Sequence, residues 1–144
     1  MHRESHVSML SSEDVPPVAD NELLARFMVN NNDGRADGTV RPSLFIPWSY
    51  TEISVNRHRD SNLQELWEVG EAVALERAKQ LYGIANIRAS ACRGISPLDV
   101  VAAPVPANPN HADICGFPGE KKEDQLAFGQ KLAASIEGQW LKRP

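Results

Sequence analysis

The sequence predicts an α+β fold, a small mixed or antiparallel sheet of four to five strands with two helices packed on it. Three stretches predict it. Tyr50 to Asn56 alternates, with Ile53 and Val55 toward one side and Glu52, Ser54 and Asn56 toward the other, the period of a half-buried strand. From Asn62 to Gln80, Leu63, Leu66, Trp67, Gly70, Val73 and Ala74 fall on one arc of about 120° at helical spacing, with Gln64, Glu65, Glu68, Glu71, Glu76 and Lys79 outside it. Gly119 to Glu137 repeats the helical pattern through Leu126, Gly129, Leu132, Ala133 and Ile136, and Gly138 ends it.

The other elements follow in order. Met1 to Asp20 is polar, carries Pro16 and Pro17, and reads as a disordered leader, which leaves residues 21–144 as a single compact domain. Glu22 to Asn30 reads as a strand with Leu23, Ala25, Phe27 and Val29 on one face and Leu24, Arg26 and Met28 on the other. Asn31 to Gly38 contains two Asp-Gly pairs and is a loop. Val40 to Trp48 is a proline-bracketed helical turn or crossing segment, with Phe45 and Trp48 as core or pocket walls.

Ser61 and Gln64 form a capping-box pattern at the start of the long helix, and Tyr82-Gly83 marks its end. Within that helix, Gly70 implies close approach of a strand backbone, because glycine there weakens a helix by about 1 kcal/mol relative to alanine. Ile84 to Ala91 is a second strand, Cys92 to Gly94 a turn, and Leu98 to Ala103 a further strand. Ala103 to Asn110 is irregular, and His111 to Cys115 is a short strand.

A chain of 144 residues is long enough for its own hydrophobic core. The formal charge of −4 argues against general nucleic-acid binding or attraction to anionic membranes. No apolar run reaches spanning length, so no membrane segment is expected. Two cysteines, Cys92 and Cys115, do not make a disulfide framework, and with no signal-peptide segment the expected location is cytoplasmic.

Two clusters carry candidate chemistry. Arg57, His58 and Arg59 end the central strand, and with Arg26 they make an anion clamp, since guanidinium groups offer planar paired donors to phosphate or carboxylate. The alternative is a solvated strand end paired with Asp60 or the helix glutamates. Asn108 to Asp113 brings a proline-guided histidine to a strand mouth. His111 and Asp113 lie two apart, so a strand points both to one side, an arrangement suited to acid–base work. The alternative is that Asn110 and His111 tie down the proline loop through hydrogen bonds.

No metal is expected, because His111 and Cys115 in a strand stand about 13 Å apart and no ligand motif accompanies them. No cofactor is expected either: no phosphate-binding glycine loop and no nucleophile elbow occurs.

The stretches PSLF, EISVNRHRD, LYGIANIRAS and LDVVAAPVPANPNHADICG resemble a group of small bacterial proteins with a strand ending in Ser-Val and a closing Asn-Pro-x-His-Ala-x-Ile-x-Gly segment. Here these are Ser54-Val55 and Asn108 to Gly116, although the group's Ser-x-x-Phe is shortened to Ser43-Leu44-Phe45. The resemblance covers Leu23 to Ile136. It implies a bacterial origin and a compact domain, brings no reaction with it, and draws attention to Ser54, Arg57, Asn110 and His111.

The function expected from these residues is a binding module that recognises a protein partner or an anionic small ligand. The ligand-binding candidates are Arg26, Ser54, Arg57, Arg59 and Asn110. The alternative is an enzyme acting on a nucleotide or other phosphate-containing substrate, with the arginines holding the anion and His111 and Asp113 as the catalytic pair. The two separate on whether Arg26, Arg57 and His111 converge.

Overall fold

A computed structural model describes residues 11–144. Its centre is an open, wholly antiparallel sheet of six strands in the order β4-β5-β2-β1-β3-β6. The strands are β1 (Leu23–Met28), β2 (Glu52–Arg57), β3 (Gly83–Arg88), β4 (Asp99–Ala102), β5 (His111–Cys115) and β6 (Leu141–Lys142). Three helices accompany them: α1 (Leu63–Glu76), α2 (Ala89–Arg93) and α3 (Glu123–Ala134). The sheet therefore has one strand more than the upper expectation, and there is one extra helix. None of the described helices is long and apolar enough to cross a membrane.

The strand alternation sorts side chains into two cores. On one face, Leu24, Met28, Ile53, Val55, Ala85, Ile87, Val100, Ala102, Ala112 and Ile114 pack against α2, α3 and the 3-10 turn Pro42–Phe45. On the other, α1 lays Leu66, Trp67 and Ala74 over Ala25, Phe27, Val29 and Ile84 of the β1–β3 half. Being central, β1 needs apolar side chains on both faces, as LLARFM supplies.

Several local expectations change. Asn62, not Ser61, caps α1: its side chain accepts from the Glu65 N–H while Glu65 reaches back to the Asn62 N–H. The helix stops at Glu76, short of Gln80. Its last turn closes with Lys79 N–H on Ala74 C=O at 2.8 Å and Ala78 N–H on Leu75 C=O at 3.0 Å, and Ala78 sits at φ 53°. Glycine is the residue suited to that conformation. Ala78→Gly is expected to raise stability by about 0.5–1 kcal/mol, read as a higher denaturation midpoint.

What crowds Gly70 is side chain rather than strand backbone: an added Cβ meets the Phe27 ring and a Leu81 methyl, both at 2.9 Å. Gly70→Ala is therefore expected to lower the midpoint, despite alanine's better helix propensity. The segment after β3 also departs from expectation. The strand ends at Arg88, and Ala89–Arg93, including the Cys92-Arg93 pair read as a turn, is helical because Ala89 and Cys92 both reach the core one turn apart.

In α3 the buried stripe includes Gln125, whose amide nitrogen donates to the Tyr50 and Pro118 carbonyls at 2.9 and 2.8 Å, while Leu126 faces outward. Phe45 is fully buried, but Trp48 is 41% exposed and is not a core wall. Trp140 packs back against the core, donating its ring N–H to Arg35 C=O.

The leader divides. Residues 1–10 lie outside the described set. Val15 and Val18, by contrast, pack against the larger core, and the carbonyls of Pro16 and Pro17 are hydrogen-bonded by Arg57. The folded unit thus includes residues assigned to the leader.

Candidate functional site

Helix α1 covers only the β1–β3 half of its face. On the β2–β5–β4 half, the same alternation that buries Ile53, Val55, Ala112 and Ile114 turns Glu52, Ser54 and Asn56, then His111, Asp113 and Cys115, then Asp99 and Val101 toward the other side. The register sets them in rows, with Asn56 opposite His111, Ser54 opposite Asp113 and Glu52 opposite Cys115. Glu52, Ser54, Asp99 and Val101 are exposed there, and His111 and Asp113 are partly so. This open sheet surface is the candidate site.

His111 is held by a hydrogen bond of 2.8 Å between Nδ1 and the Ala103 carbonyl. A carbonyl only accepts, so Nδ1 carries the proton and the neutral ring leaves Nε2 as a bare acceptor. Nε2 lies 3.9 Å from Asp113 Oδ1, too far for a hydrogen bond but close enough for attraction once the ring is charged. Desolvation raises the Asp113 pKa, the His111 charge works against this, and Glu52 adds to it. The thiol of Cys115 is pushed up by desolvation and then by Asp99, Asp113 and Glu52, so it is not an activated nucleophile. Cys92, inside the core, is pushed up to about 12 and is inert.

At the rim, Arg59 Nη1 donates to Asn110 Oδ1 at 3.1 Å, and Asn110 Nδ2 donates to Ser61 Oγ at 3.4 Å. Asn108 donates its side-chain amide to Asn56. These contacts tie the proline loop to the β2–α1 turn, the structural alternative for this loop.

Arg57 and Arg26 are elsewhere. Arg57 points to the opposite face and is only 1% exposed. Its Nε and Nη2 both bond the Glu22 carboxylate at 2.8 Å, Nη1 bonds Pro16 C=O at 2.8 Å, and Nη2 also reaches Pro17 C=O at 3.3 Å. Arg26, on that same face, donates to the carbonyls of Leu44 and Ser54 at 2.9 and 3.0 Å. Desolvation lowers its pKa to about 10, so it remains charged at neutral pH. Arg26, Arg57 and His111, whose convergence separates the two readings, do not converge: the sheet separates the two arginines from the histidine.

Two residues of the face, Glu52 and Asn56, are not among the sequence candidates, although the alternation that selects Ser54 also selects them. The partner of Arg57, Glu22, has no local signal at all, being 35 positions away in sequence. A hollow of about 400 Å³ lies remote from the site, lined by Arg35, Thr39, Pro42, Gln130, Ala133 and Ile136 among others. Among the described residues no group of three or more His, Cys, Asp and Glu side chains is placed to hold a metal ion. The chain matches no known protein family, no curated protein and no solved structure.

Proposed function

We propose that the protein is a binding module that docks a protein partner on the open β2–β5–β4 surface. The carrying observation is that half of one sheet face has no described helix over it, while its side chains alternate correctly for a folded, solvent-facing strand surface. Glu52 and Asp113 stand there without an arginine or lysine salt-bridge partner among the described residues, and Asp113 is already partly desolvated. A partner segment bearing lysine or arginine suits that charge, with Ser54 and Val101 offering a hydrogen-bonding group and an apolar contact.

The anionic-ligand form of this reading, and the phosphate-acting enzyme, lean on Arg26, Arg57 and Arg59. The donors of Arg26 and Arg57 are engaged on the other side of the sheet, and Arg59 donates to Asn110 at the rim, which favours the protein partner. The resemblance to small bacterial proteins supports a bacterial setting for it.

The test reverses the charge of the surface without disturbing the core, through Glu52→Lys combined with Ser54→Arg. Leu75→Lys, on the exposed side of α1, is the control. Partners captured by the wild type are expected to be captured equally by the control and at least about tenfold more weakly by the double variant, with the wild-type interaction weakening as salt rises. Equal capture by the double variant would sink the proposal.

A further inference from the structure

β4 is one edge of the sheet, and its backbone shows how that edge is closed. Ala103 N–H donates to His111 C=O at 2.9 Å, so Asp99, Val101 and Ala103 turn their backbone groups toward β5. Val100 and Ala102 consequently turn theirs outward. At Val100 both outward groups are taken from within the chain. Its N–H donates to Asp99 Oδ1 at 2.7 Å, and its carbonyl accepts from Arg93 Nη2 at 2.8 Å.

Arg93 is fixed in that position from two sides. Its Nε donates to Asp99 Oδ1 at 2.8 Å, and its Nη1 donates to Asp20 Oδ1 at 2.7 Å. A guanidinium carried by α2 thus stands where the next strand would lie. Charged side chains at an edge are a known protection against unwanted strand pairing.

The strand behind this plug suits its own copy. In an antiparallel pair centred on Val101, Val100 faces Ala102 of the second copy. Both residues have outward backbone groups, so each such pair exchanges its two N–H···O bonds. Val101 then meets Val101 of the second copy at the closer, non-hydrogen-bonded position. Its side chain, 42% exposed, gains a β-branched neighbour there. No proline interrupts Asp99–Ala102, and none of its side chains meets a like charge in that register.

We propose that the β4 edge is a self-pairing surface for a second copy of this chain, held shut by Arg93 and Asp99. The plug is the observation that carries this. It rests on the backbone groups of that edge, not on the partner proposed for the open face.

Light scattering across a range of concentrations tests it, with circular dichroism to establish folding. The wild type is expected to remain a monomer of 15.9 kDa. Arg93→Ala is expected to double in mass as concentration rises, and Asp99→Ala, which frees the Val100 N–H and loosens Arg93, to do the same. Adding Ala102→Pro to either variant should restore the monomer, because proline there removes an outward N–H and no bond to β5.

A folded Arg93→Ala that stays monomeric overturns the proposal; should that variant fail to fold, Asp99→Ala decides in its place by the same criterion. A dimer that persists with Ala102→Pro overturns it as well, since the pairing would then lie elsewhere. A wild-type dimer dissolved by Ala102→Pro overturns the closed state.

Discussion

Arg57→Ala should lower the stability of the fold by about 3–5 kcal/mol, because it leaves the half-buried Glu22 carboxylate and two loop carbonyls without their partner at once. The guanidinium is 1% exposed and its Glu22 partner 17%. Four hydrogen bonds leave it, two to that carboxylate and two to Pro16 and Pro17. It is therefore the post that holds the N-terminal segment against the sheet, and Val18 packs in the core beside that segment. Urea denaturation of the variant checks the magnitude. A loss below about 1 kcal/mol would mean that the pair behaves as an ordinary surface salt bridge.

The same pair sets a pH dependence whose sign follows from Glu22. The hydrogen bond from Arg57 holds the Glu22 pKa below its ordinary 4.5, against desolvation, which opposes the shift. A carboxyl with a depressed folded pKa binds protons more readily in the unfolded chain. Its contribution is thus fully present above the ordinary value and is lost as pH falls below 4.5 and through the folded value. Wild-type stability should drop over that acidic window, and Arg57→Ala should show a shallower drop there. Replacing both members, Arg57→Met with Glu22→Gln, should recover much of the loss, since well-packed neutral groups often match a buried ion pair.

Trp67→Ala should cost about 3–5 kcal/mol by opening a cavity beneath α1. The indole is 4% exposed and is the largest member of the smaller core, which holds α1 on Ala25, Phe27 and Ile84. It also anchors the far end of the chain. Arg143 lies over the ring, 5.5 Å from its centroid, and bonds Glu71 of the same helix at 2.6 Å. Because β6 pairs only through Leu141 and Lys142, it should lose amide-exchange protection in this variant before the central strands do. Trp67→Phe, which keeps most of the apolar volume and an aromatic face, should show much smaller losses of both kinds. Calorimetry and hydrogen exchange on the two variants separate lost packing from lost tethering.

How far the fold is legible in the sequence differs from element to element. β1, β2 and β5 are readable because their alternation is a local property. β5 is found at His111–Cys115, the expected bounds. α1 is readable because its apolar arc and polar remainder repeat over three turns. Two of the short elements, β6 and α2, are not. β6 has two residues and exists only because β3 offers it an edge, and α2 is a five-residue helix whose pattern is too brief to distinguish from a strand continuation. The ordered stretch ahead of β1 escapes a sequence reading for a related reason: its composition is that of a solvated leader, and its order depends on Arg57, some 40 residues away.

In the candidate site, the order of residues along the chain determines which side chains travel together. Period-two geometry alone puts His111 with Asp113, and Ser54 with Glu52 and Asn56. It does not determine which of a strand's two sides meets water, nor that His111 and Arg57 end on opposite faces of one sheet. Those outcomes are decided by strand order, by register, and by α1 spanning only the β1–β3 half. Arg57 shows the physical reason most plainly. At a strand end a guanidinium is equally suited to a ligand or to an internal carboxylate, and the choice falls to Glu22, which tertiary packing alone brings within 2.8 Å.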